Sequence, residues 1–140
     1  MQEALGRIGF ALILLGCAAA ANAHHSFPVY YVPDKIIKVT GVVTGFRFRN
    51  PHGLIFFTVR GKDGTRAQWK AETNSPNILR RRGWSEDAFK PGQRITVEGY
   101  PSRDGSNRLR VYRVLLPDGR IFVSQRPGAG VGGGADSAKK

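Results

Sequence analysis

The stretch from Lys38 to Arg60, KVTGVVTGFRFRNPHGLIFFTVR, constrains the fold of this chain more than any other. It is dense in β-branched and aromatic residues and is interrupted once, by Asn50-Pro51-His52-Gly53. That pattern predicts two strands joined by a tight turn, since proline fixes its own φ and glycine can take a positive one. The first strand, about 36–49, contains Gly41 and Gly45, and a glycine inside a strand marks a bulge or a bend. Beyond Gly45, Phe46 and Phe48 alternate with Arg47 and Arg49, so rings and charges take opposite faces. The second strand, Leu54 to Arg60, is almost continuously apolar and is expected to be covered on both faces. A long, bent first strand is what a small closed barrel needs in order to pair on two sides.

Downstream, Gly61-Lys62-Asp63-Gly64 reads as a hairpin turn. A third strand follows at Thr65 to Glu72, with Ala67, Trp69 and Ala71 inward and Arg66, Gln68, Lys70 and Glu72 outward. Ser75-Pro76 has the form of a helix start, and the helix is expected to end at Gly83 with Arg80, Arg81 and Arg82 in its last turn. A further helical turn is expected near Ser85-Glu86-Asp87. The fourth strand, Gln93 to Tyr100, points Ile95, Val97 and Gly99 inward. The fifth runs from Leu109 to Leu116, and a short last strand spans Ile121 to Ser124. Three strands, a helix and two or three more strands form the layout of a five- to six-stranded barrel like the oligonucleotide/oligosaccharide-binding (OB) fold, mainly β, with its helix between strands three and four. A β-sandwich is the alternative, but it calls for more strands and no helix at that place.

The chain has 140 residues, enough for one domain, with 41% hydrophobic and 23% charged residues. Residues 1–23 read as a signal peptide: Arg7 precedes the apolar run Ile8 to Leu15, and Ala21-Asn22-Ala23 is an A-x-A cleavage site. That places the protein in the periplasm or outside the cell. No membrane-spanning segment is expected after processing. The one cysteine, Cys17, lies inside this segment; lipid attachment there is the competing reading. Residues 24–35, with Pro28 and Pro33, are expected to form an extended arm packed on the domain of residues 36–125. Residues 126–140, rich in glycine, are expected to be a disordered tail. Lys and Arg number 22 against 10 Asp and Glu, a formal charge of +12, which favours anionic partners.

A set of short motifs runs along the chain: His24-His25-Ser26-Phe27, Asn50-Pro51-His52, Trp69 with Glu72, Leu79 to Trp84, Lys90-Pro91-Gly92, Gly99-Tyr100-Pro101, Arg103-Asp104-Gly105-Ser106 and Leu116 to Arg120. In these the chain resembles a bacterial family of small exported proteins known only as a domain of unknown function. The likeness spans residues 24 to about 124. The resemblance implies an exported OB-like β domain and brings no activity with it.

Two chemistries follow from the residues themselves. Cleavage after Ala23 would leave His24 first, with a free amine beside its imidazole. Those two nitrogens can chelate one metal, and a third nitrogen, from His52 or His25, would complete a set suited to Cu(II). Copper bound by His24, His25 and His52 is thus the sharpest candidate site. The other is an anion-binding stripe of Arg47, Arg49, Arg66 and Lys70 for a glycan, a lipid headgroup or nucleic acid. Nucleic acid is disfavoured there, because Phe46, Phe48 and Trp69 face away from the charges and only Tyr100 and Tyr112 look outward. Catalytic motifs are missing: no G-x-S-x-G elbow, no phosphate loop and no H-E-x-x-H occur, so an enzyme is not expected. Glu72 is expected to pair with a basic neighbour.

Overall fold

The computed structural model describes residues 27–125. The expected signal peptide of residues 1–23 with Cys17, the candidate ligands His24 and His25, and the expected tail of residues 126–140 therefore lie outside the described residues. Strands β1 (Ile37–Arg47), β2 (Leu54–Arg60), β3 (Arg66–Glu72), β4 (Arg94–Pro101), β5 (Arg108–Leu115) and β6 (Ile121–Val123) form one sheet in the order β3-β2-β1-β4-β5-β6. A parallel pairing of β3 with β5 closes the first five into a barrel and leaves β6 as an added strand on β5. One turn of helix, α1 (Phe27–Tyr30), precedes the barrel, and α2 (Pro76–Arg80) lies between β3 and β4.

The bent first strand makes closure possible. Its first half, Ile37 to Val42, pairs with β4, and its second half, Val42 to Arg47, pairs with β2, with a register shift between Val43 and Gly45. Gly41 sits at the crossing: a Cβ there would stand 2.6 Å from the Thr58 carbonyl oxygen and 2.7 Å from Phe57 Cδ2, so no larger side chain fits without moving backbone. Inward alternation fills the barrel with Val43, Ile55, Phe57, Ala71, Ile95, Val97, Leu109, Val111 and Val114, all buried. At one end Trp84, Phe89, Phe46 and Phe122 pack ring against ring, with Trp84 and Phe89 centroids 5.3 Å apart and Phe89 and Phe122 5.2 Å apart. The indole Nε1 of Trp84 donates to the Val123 carbonyl at 3.2 Å.

Five local expectations are corrected. The arm packs on the barrel, but Phe27–Tyr30 is helical rather than extended, with the Tyr31 amide bonded to the Phe27 carbonyl at 3.0 Å. Pro28 is tolerated because amides in a first turn have no helical partner to lose. Helix α2 ends at Arg80, and a turn carries the chain to Gly83 at φ +81°; Ser85 to Ala88 also form a turn, not a helix. Gly53 is not in the positive-φ region. Its small size matters instead, since a Cβ would lie 2.5 Å from Thr73 Oγ1. Tyr100, expected to face solvent, is only 6% exposed: Phe27 of the arm covers it edge-on at 5.2 Å.

Candidate functional site

The closing strand pair builds the site. Parallel register sets Glu72 of β3 against Arg110 of β5, both on the outward phase, beside the β1–β2 loop that carries His52. Arg110 Nη1 donates to Glu72 Oε1 at 2.6 Å and its Nη2 donates to Asn74 Oδ1 at 2.7 Å. The Tyr31 hydroxyl donates to the other carboxylate oxygen of Glu72 at 2.8 Å. His52 completes the cluster, its Nε2 3.7 Å from Glu72 Oε1 and its Nδ1 3.4 Å from Arg110 Nη1. The expected pairing of Glu72 with a basic neighbour is therefore present, and Arg110 is that neighbour.

Glu72 thus joins three parts of the chain: the arm through Tyr31, the first loop beside His52, and β5 through Arg110. The arm is fixed further by the Val32 amide on the Pro101 carbonyl, the Arg103 amide on the Tyr30 carbonyl, and Arg103 Nε on the Pro28 carbonyl, each at 2.9 to 3.0 Å. The loop that holds Arg103 is itself tied by Asp104. Hydrogen bonds from Ser106 first, then Ser102, pull the Asp104 carboxyl down to about 2, and Gly105 at φ +74° completes the expected turn.

Burial first, and then the charge of Glu72, raises the Tyr31 hydroxyl well above the ordinary phenol range. The folded state therefore holds this proton where an unfolded chain would release it. The resulting stabilisation is complete below about pH 10 and declines as pH rises beyond it. Tyr31→Phe is expected to remove the highest-pH step from the tyrosinate absorbance titration of the folded protein and to lower stability by about 1 kcal/mol at neutral pH. An unchanged titration would mean that the hydroxyl is not held as described.

Of the proposed copper ligands, His52 lies in this cluster, while His24 and His25 fall outside the described residues. Among the described residues no three His, Cys, Asp or Glu side chains are grouped to hold a metal. The four anion-binding candidates separate into two pairs. Arg47 and Arg49, both exposed, line an open groove with Phe46, Phe48 and Glu86. Arg66 and Lys70 stand on the outer face of β3. Tyr31, Asn74, Arg108 and Arg110 were not singled out by sequence. The alternation of Arg108, Arg110 and Tyr112 with Leu109 and Val111 signals an outward face, but not which strand that face meets.

A closed five-stranded β barrel with one added strand, its first loop and N-terminal arm meeting over one carboxylate, places the molecule among OB-like barrels. The chain belongs to DUF6152, a family of unknown function, whose family model matches residues 11–110. No curated protein matches the chain. No helix among the described residues is long and apolar enough to cross a membrane.

Proposed function

We propose that this is an exported, periplasmic binding protein that holds a copper ion between a processed N-terminus and the barrel. The ligands are the amine and imidazole of His24 and the ring of His52, with His25 as a further donor. One observation carries the reading: the carboxylate that anchors the arm, Glu72, is also the one beside His52. His24 is three residues ahead of Phe27, and three residues of chain reach about 11 Å. The shared anchor at Glu72, which bonds the arm through Tyr31 and stands beside His52, supports a meeting of His24 with His52. Two nitrogens from one residue and a third from an imidazole suit the tetragonal preference of Cu(II).

The test is Cu(II) titration of protein beginning at His24, followed by electron paramagnetic resonance. Coupling to several nitrogens is expected, with affinity lowered by at least about tenfold in His52→Ala and also when one extra residue precedes His24 and displaces the amine. A spectrum without nitrogen coupling, or one unchanged by both alterations, overturns the assignment.

A further inference from the structure

The outer face of β2, β3 and β5 holds a charge arrangement that folding alone does not explain. In register, Arg60 of β2 stands opposite Arg66 of β3, and Lys70 of β3 stands opposite Arg108 of β5. Like charges directly opposed across paired strands are destabilising, yet two such pairs occur on one face. Arg66 and Lys70 share the outward phase of β3, alternating with Ala67, Trp69 and Ala71. Glu72, the acid on that strand, is already bonded to Arg110 and Tyr31. Among the described residues neither Lys70 nor Arg108 makes a direct ion pair or side-chain hydrogen bond, although Arg108 lies near enough to Asp104 for its charge to help lower that carboxyl. In the row of Lys70 and Arg108 lies Phe56. Its ring alternates with buried Ile55 and Phe57, so it faces out, and it is not packed into the core cluster. Gly45, its partner on β1, adds no side chain beside the ring, and a Cβ there would stand in ordinary contact, 3.9 Å from Phe56 Cδ2.

We infer that this face binds an acidic polysaccharide. Carboxylates between Lys70 and Arg108 and between Arg60 and Arg66 would turn both repulsions into attractions. Four residues of strand separate the two pairs, about 13 Å, the span of a short oligosaccharide. A pyranose ring has an apolar C–H face to lay on Phe56. Single-stranded nucleic acid is less well served, because its binding surfaces offer successive rings and here one ring accompanies the two charge pairs. The inference needs no metal and stands apart from the copper assignment.

The experiment uses fluorescein-labelled polygalacturonate and, in parallel, labelled poly(dT), with binding read by anisotropy at low and physiological salt. Polygalacturonate is expected to bind in the presence of EDTA and to weaken as salt rises. Lys70→Gln with Arg108→Gln is expected to reduce affinity at least tenfold while leaving the melting temperature equal or higher, since it relieves the repulsion. Lys90→Gln with Arg94→Gln, the same charge change at exposed positions elsewhere, is expected to change affinity less than twofold. An equal loss in the two double variants, tighter binding of poly(dT) than of polygalacturonate, or no binding at low salt overturns the proposal.

Discussion

Glu72→Ala is expected to lower the unfolding free energy by about 2–3 kcal/mol and to release the arm. Breaking a buried ion pair from one side typically costs about 3–5 kcal/mol, and partial exposure of this pair reduces that figure; the Glu72 and Arg110 side chains are 22% and 11% exposed. The larger part of the loss is the guanidinium left behind. Arg110 would keep only Asn74 as a strong partner, and its Nε is already buried without one. Urea unfolding measures the loss, and hydrogen exchange at Tyr31 and Val32 measures release of the arm. Glu72→Gln should lose less, because an amide oxygen still accepts from Tyr31. Glu72→Ala combined with Arg110→Met should recover part of the loss, because the stranded charge is gone. A loss below about 0.5 kcal/mol in Glu72→Ala would show that the cluster does not hold the arm.

The parts of this design that are written locally were legible in the sequence. Leu54 to Arg60 reads as a strand because β-branched and aromatic residues crowd between two turns, and the structure keeps those bounds. Gly45 reads as a break in pairing, and the register shifts there. Ser75 and Pro76 begin α2 as expected, although the Ser75 hydroxyl makes no capping bond. What local pattern does not carry is closure. Lys70 meets Arg108 only because β1 bends and brings β4 and β5 round to β3; no periodicity in either strand encodes a partner so distant in sequence. The Glu72–Arg110 bond and the opposed cations follow from that pairing, so they were invisible with it. Tyr100 departs from expectation for a related reason: its outward phase is legible, but Phe27 covers it from another segment. His52 was legible as a loop histidine, whereas its neighbours Glu72 and Arg110 come from the barrel's closing seam.

Trp84→Ala is expected to have the largest effect on stability, a loss of about 3–5 kcal/mol, against the roughly 5–15 kcal/mol that holds a typical domain. The indole is 3% exposed and touches Phe89, Phe122 and Phe46 with centroids 5.3, 5.5 and 6.3 Å away. Those rings come from β1, β6 and the segment after α2, so removing the indole leaves a cavity that no single movement can close. The substitution also orphans the Val123 carbonyl that Nε1 now serves. Strand β6 is only three residues long and depends on such side-chain ties, so its amides should exchange first. The consequence reaches the candidate site through Ser124, which follows β6. Its Oγ accepts from the Asn74 amide at 3.0 Å and its carbonyl from Asn74 Nδ2 at 2.5 Å, with Arg82 donating to the same carbonyl. Asn74 in turn accepts from Arg110. Loosening β6 should therefore slacken the support of Arg110 and Glu72, while Trp84→Phe, which keeps a ring and loses one hydrogen bond, should cost about 1–2 kcal/mol and leave the cluster in place. Denaturant unfolding with hydrogen exchange read at β6 and at Asn74 separates these outcomes; equal protection of Asn74 in both variants would show that the aromatic end does not support the site.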